Sequence, residues 1–226
     1  MAAYTGVHGE YQSGAADPIT VNLSGATSVN DLLVLGLQTD VTVASISDSG
    51  MTTGGWTERV SQLSGASGRT LHMYDAIVTV GGATPSVTVD FTVTPGTNAT
   101  FIGIYAFSGL DTTPLWSGRT NDQASPGTGT DAVTTGTTTS GNGFISIGFH
   151  FNQSASSPTR TAGTGYTLLF DFDFAAVIGG LSQYLVDTGS PRASTMTTSV
   201  NDEYLSAVVN YQPTAAADVL LGQAAL

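Results

Sequence analysis

Hydrophobic and polar positions alternate with a period of two over short stretches from one end of the chain to the other, and clusters of Gly, Pro, Asn and Ser separate the stretches. A period of two places successive side chains on opposite faces of a strand, so the pattern predicts an all-β protein. Strands are expected near Ile19–Leu23, Asp31–Thr39, Thr42–Ser47, Trp56–Val60, Arg69–Val80, Ser86–Phe91 and Ala99–Phe107. In the second half they are expected near Ala132–Thr138, Gly143–Phe151, Tyr166–Phe174, Leu181–Val186, Ser194–Val200 and Tyr204–Tyr211. About thirteen short strands at this spacing fit a jelly-roll or Greek-key β-sandwich. No helix longer than a turn or two is expected, except at the C-terminal end.

Two stretches indicate which faces are covered. Between Phe144 and Phe151 the odd positions Ile145, Ile147, Phe149 and Phe151 are apolar and face a core, while Ser146, Gly148 and His150 fall on the opposite, polar face. The run Leu32–Leu37 is apolar on both faces apart from Gly36, which suits a central strand covered on both sides or one lying under a neighbouring subunit. Ser117–Thr130, rich in Gly, Ser, Thr and Asn, reads as a long surface loop. The body is expected to span 19–212. One domain is favoured over two halves divided at 117–130, on the ground that strands from both halves pair with each other.

The body is flanked by an N-terminal arm, residues 1–18, and a C-terminal tail, residues 213–226. The tail is apolar with one charge, Asp218, and a helix of that length is unstable alone in water. It either docks on a partner subunit as an arm or short helix, or is a disordered terminus.

Composition narrows the partners. Charged residues are 10% of the chain, against about a quarter in typical domains. There is no lysine, and the cations are Arg59, Arg69, Arg119, Arg160 and Arg192. The surface must therefore be built from Thr, Ser, Asn and Gly. A net charge of −12 argues against nucleic acid and anionic membranes as partners, because phosphate neutralisation needs clustered cations. Like-charged copies repel, which suits display at high local density. With no cysteine, stability must come from core burial, subunit assembly or a non-cysteine metal site. Met1–Gly14 lacks the basic and apolar segments of a secretory signal, and no stretch is apolar over the length of a membrane span. Synthesis in a cytoplasm without signal cleavage is the expectation.

The chain is not expected to be an enzyme. His8, His72 and His150 are scattered without metal-ligand spacing and read as structural histidines. No nucleophile elbow precedes a helix, and no serine has an identifiable histidine and carboxylate to complete a triad. Asp171 and Asp173 lie two apart, so they share a strand face and could act as an acid/base couple or bind calcium. Alternation alone also accounts for them, with Phe170, Phe172 and Phe174 in the core and both carboxylates in solvent. Asn201-Asp202-Glu203, and Asp40 with Asp48, offer oxygen ligands for a cation at no specific spacing. Gly50–Gly55 and Gly127–Gly129 read as turns. No cofactor is expected. Trp56, Trp116, Tyr74 and Tyr105 could form a sugar-stacking platform; Trp56 and Tyr105 read as core, and Trp116, after Pro114-Leu115, as a loop contact residue.

Three stretches carry a family likeness: Asn30-Asp31-Leu32-Leu33-Val34-Leu35-Gly36-Leu37, Gly55-Trp56-Thr57, and Tyr105-Ala106-Phe107-Ser108-Gly109-Leu110-Asp111-Thr112-Thr113-Pro114-Leu115. Across residues 20–211 the chain resembles β-sandwich proteins of phage virions and bacterial surfaces. The second half weakly repeats the pattern at Gly141–Gly148 and Gly163–Leu168. As a whole the chain is similar to tailed-phage capsid decoration (cement) proteins. The resemblance implies a jelly-roll-like sandwich on the capsid exterior, bound to the major capsid protein, assembled as a homo-trimer and free of catalytic residues. It also implies termini that reach neighbouring subunits, with contacts expected at Tyr4, His8, Trp116, Val219, Leu220, Leu221 and Leu226. A tail-fibre or adhesin module, or a glycan-binding sandwich, is the alternative.

Overall fold

The alternating stretches become strands in the computed structural model. It describes residues 2–12, 16–64, 68–96, 100–111, 116–123, 131–138, 142–153, 159–174, 178–188, 192–198 and 203–214, and within these the chain is all-β. The first half contributes β1 (Ala3–Gln12), β2 (Ile19–Asn22), β3 (Leu32–Thr39), β4 (Val43–Ser49), β5 (Thr52–Thr53), β6 (Thr57–Leu63), β7 (Thr70–Val80), β8 (Ser86–Phe91) and β9 (Phe101–Ser108). The second contributes β10 (Trp116–Gln123), β11 (Asp131–Thr138), β12 (Asn142–Gln153), β13 (Arg160–Ala162), β14 (Thr167–Phe174), β15 (Ile178–Thr188), β16 (Arg192–Thr198) and β17 (Glu203–Tyr211).

All ladders are antiparallel, and every one stays inside its own half. The first half has a large sheet ordered β1-β9-β3-β7, with β5 and β6 both on β7, and a small sheet ordered β2-β8-β4. The second half repeats this order as β10-β17-β12-β15-β14 and β11-β16-β13. The registers match as well: Tyr4, Phe107, Leu32 and Ile77 stand in one row across the first large sheet. Trp116, Tyr211, Ile145 and Val186 stand in the corresponding row of the second. Among the described residues no strand of one half pairs with a strand of the other, and the backbone pairing expected between the halves is confined to the stretch around Leu110 and Pro213.

The halves instead stack through their large sheets, giving four layers with the small sheets outermost. Period-2 alternation sorts the side chains among the layers. Leu33, Leu35, Leu37, Ile102 and Ile104 face the first small sheet and pack on Ile19, Val21, Val87 and Val89. Their alternates Leu32, Val34, Phe101, Tyr105 and Phe107 face the second half and meet Ile145, Ile147, Phe149, Phe151, Val209 and Tyr211. The run that is apolar on both faces is thus central and doubly covered, within one chain. Aromatic rings dominate this seam: Phe101 stacks on Phe172 at 3.8 Å between centroids, and Tyr105 lies 5.9 Å from Phe149. The hydroxyl of Ser182 donates to that of Tyr105 across the seam.

Four expectations are corrected. The supposed arm contains β1, a full edge strand whose bulge between Tyr4 and His8 includes Gly6 at φ +84°. The supposed loop from 117 begins as β10, paired along its whole length with β17; tertiary pairing overrides the weak strand propensity of Ser117-Gly118-Arg119-Thr120-Asn121. Seventeen strands are present among the described residues, not about thirteen. Pro213 and Thr214, assigned to the tail, belong to the folded body: Leu110 and Pro213 form an isolated antiparallel bridge, and the Thr214 amide donates to Gly109 O at 3.0 Å.

Gly36 lies at the centre of the seam, where an added Cβ would run into the Phe149 ring. Gly36→Ala is expected to destabilise the protein by about 1–3 kcal/mol through overpacking, against less than about 0.5 kcal/mol for the surface change Asn22→Ala, both read by urea denaturation.

Candidate functional site

The strand registers bring several of the expected contact residues to one end of the molecule. Tyr4 sits opposite Phe107 near the end of β9, and Trp116 sits opposite Tyr211 at the end of β17. Just beyond, residues 109–111 pair with residues 212–214, where the Asp111 amide donates to Gln212 O at 3.1 Å and the Gln212 side chain to Asp111 Oδ2 at 3.3 Å. Thr214, from which the remaining tail departs, is fixed there by a second bond from its hydroxyl to Leu110 O at 2.8 Å. Val219, Leu220, Leu221 and Leu226 lie outside the described residues, as does the side chain of Trp116.

Tyr4 is not a free contact. Its ring packs on Phe107 and Tyr184 at 5.5 and 5.6 Å, so it closes the seam from the edge strand. Burial, with help from Glu10, pushes its phenol up to about 12, and its oxygen pairs with His8 Nδ1 at 3.1 Å. His8 is the exposed member, its side chain 42% accessible, with Glu10 Oε2 3.9 Å from its Nε2. Burial raises the Glu10 pKa while His8 lowers it.

The polar face expected on β12 is polar but not solvated. Ser146 and His150 are fully buried beneath β16, whose approach is possible because Gly148 carries no Cβ to meet the Ser194 hydroxyl. His150 Nδ1 pairs with Ser206 Oγ at 2.9 Å, and Nε2 with Ser194 Oγ at 2.8 Å. Gln183 completes the group: its amide nitrogen reaches His150 Nε2 at 3.0 Å, Ser194 Oγ at 2.9 Å and Thr195 O at 2.7 Å, and its oxygen accepts from Gly163 N. Burial lowers the His150 pKa to about 3, so the ring is neutral at physiological pH. The cluster brings serine and histidine together, yet it is sealed between sheets, and its chemistry is that of a lock holding the small sheet on the large one.

The remaining candidates resolve into structural roles. Asp171 and Asp173 do not simply face water: the buried Arg160 guanidinium bonds them at 3.3 and 3.2 Å and donates to Phe172 O at 3.0 Å. Burial raises the Asp171 pKa, and Arg160 opposes this. Phe172 is buried and Phe170 partly so; the Phe174 side chain lies outside the described residues. Asp48 holds the Thr53 amide and hydroxyl, and Asp40 the Gly96 amide, so each fixes a different turn. Asn201 and Asp202 lie outside the described residues. Among the described residues no group of three or more His, Asp or Glu side chains converges to hold a metal ion. Arg160, Gln183, Ser194 and Ser206 carry no sequence signal, because what joins them is packing between strands far apart in the chain. No family model, no curated protein and no solved structure matches this chain.

The His150 lock predicts acid sensitivity. The folded pKa lies below the unfolded value of 6.5, so the unfolded chain binds a proton that the folded chain does not as pH falls through the interval down to about 3. Stability should therefore fall with pH over that window, by up to about 1.4 kcal/mol per pH unit from this residue. His150→Gln should cost stability at pH 7, and its deficit against wild type should shrink as urea titrations are repeated towards pH 4.

Proposed function

We propose that this protein is a structural component of a phage virion, not an enzyme, and that it decorates the capsid exterior and cements it by bridging adjacent capsomers. The observation that carries the reading is the stacked repeat. Two halves of one strand order, joined through their large sheets, turn their small sheets outward in opposite directions, so one chain offers two like faces to two neighbours. Both outer faces are built from small hydroxyl residues. Thr20, Thr88 and Ser47 stand in a row across the first, with Thr20 and Thr88 hydroxyls 2.9 Å apart, and exposed Thr161 and Thr197 pair on the second. Such hydroxyl rows, with Asp90 as the charge beside Thr88 on the first, suit close approach to a protein lattice that a −12 chain could not make through clustered cations.

We also infer that each half is a jelly roll. The support is its nested pairing, β1–β9, β2–β8 and β3–β7 in the first half and β10–β17, β11–β16 and β12–β15 in the second, as when one long hairpin wraps into two sheets. In this reading the partner is the major capsid protein, the protein self-associates as a trimer, and the tail beyond Thr214 makes a lattice contact. Binding to the expanded shell and not to unassembled subunits stabilises the shell by mass action.

The test compares full-length protein with a form ending at Thr214, which keeps the Leu110–Pro213 bridge. Full-length protein should co-sediment saturably with expanded shells stripped of exterior proteins and scatter light as a trimer. The shortened form should keep its circular dichroism spectrum while losing shell retention. Failure of the full-length protein to associate with shells, and absence of antibody labelling on virions, would sink the reading.

A further inference from the structure

The geometry points to a saccharide-binding shelf on the first half, formed by Trp56, Tyr74, His72 and Glu58 and taking neutral pyranose sugars. The first large sheet has six strands and the first small sheet three, so the small sheet cannot cover the whole of the large one. Ladder register places Glu58 opposite Tyr74 and Ser61 opposite His72 on the same face of β7 as Ala76. This is the face whose β3 neighbours, Leu35 beside Tyr74 and Leu37 beside His72, are buried under the small sheet. Trp56 and Tyr74 pack their inner edges on that core yet are only partly buried, so the aromatic row emerges from the core at the lip of the sandwich.

The shelf has the two chemistries that a sugar requires. A pyranose presents an apolar C–H face, which aromatic rings accept, and a rim of hydroxyls, which need a fixed set of donors and acceptors. The rings are held in place: His72 stacks on Tyr74 with centroids 5.8 Å apart and planes 25° from parallel. Glu58 Oε1 fixes His72 through Nδ1 at 2.6 Å, while its side chain remains 43% exposed and so within reach of a ligand hydroxyl. Burial raises the Tyr74 pKa, and Glu58 adds to this by charge and by hydrogen bonding, so the phenol stays protonated and is held to the Glu58 carboxylate. The net charge of −12 disfavours acidic sugars and selects neutral ones. Among the described residues β4 is the outer strand of the small sheet, and its edge offers backbone donors and acceptors on the same half. A peptide pairing with that edge is the competing occupant, and the test separates it from a sugar.

The site does not depend on the virion reading, since it is argued and tested on the free protein. The test is fluorescence titration of the full chain in a Trp116→Phe background, where Trp56 alone reports, with neutral oligomers of glucose, mannose, galactose and N-acetylglucosamine as probes. At least one should give a saturable Trp56 shift. Tyr74→Ala and Glu58→Gln should each weaken it by about tenfold, the scale of one lost ring or charge-assisted contact. Glu58→Gln, at a half-exposed position, keeps the test decisive if Tyr74→Ala does not fold. No response to any oligomer at millimolar concentration overturns the site, and so does binding that both variants leave unchanged. A Trp56 shift with an extended peptide and with no sugar would assign the lip to strand addition instead.

Discussion

The contact between the two large sheets is the interaction on which the other layers depend. Each half alone would leave the row Leu32, Val34, Tyr105 and Phe107, or its counterpart Ile145, Ile147, Phe149 and Tyr211, open to water. Burying a side chain of this size is worth about 1.5–3 kcal/mol, so a face of several such residues cannot remain exposed in a stable sandwich. Once the seam closes, β3 and β12 become central strands of a four-layer body, and the small sheets need cover only the remaining faces. Gly36 and the Tyr105–Ser182 hydrogen bond set how closely the faces approach.

Although the halves share a strand order, they fill their sandwich interiors differently. The first is apolar, with Leu33, Leu35 and Leu37 against Val87 and Val89. The second is largely polar, with His150, Gln183, Ser194 and Ser206 buried in one hydrogen-bonded layer. An apolar interior tolerates exchange of shape for volume, whereas a satisfied polar layer specifies one arrangement and becomes costly when a member loses its partner. Repacking the first interior and the second interior are therefore unlike problems on the same scaffold.

Strand positions in the first half were legible because Leu32–Leu37 and Ser86–Val89 carry strong period-2 or doubly apolar signals. β1 and β10 were not, for different reasons. Glycines at 6 and 9 break the pattern of β1, and β10 is written in turn-forming residues that only its partner β17 holds extended. The apolar face of β12 was read correctly, but burial of its polar face was not, because a polar residue that is hydrogen-bonded inside a protein looks the same in sequence as one facing water. The repeat showed only faintly, Gly141–Gly148 echoing Asn30–Leu37. Those two stretches match with Leu33 over Ile145, while the sheets align Leu32 with Ile145, so the letters and the faces are out of step by one residue.

The stacking of two halves within one chain also has a bearing on dilution. Two sandwiches that meet through a seam of this kind would, as separate chains, part company once their concentration fell below the dissociation constant. Here a single polypeptide joins them, so each half always finds the other at an effective concentration set by the connecting segment. The assembled body should then hold together equally well as a lone molecule released into a large volume and in a crowded cell.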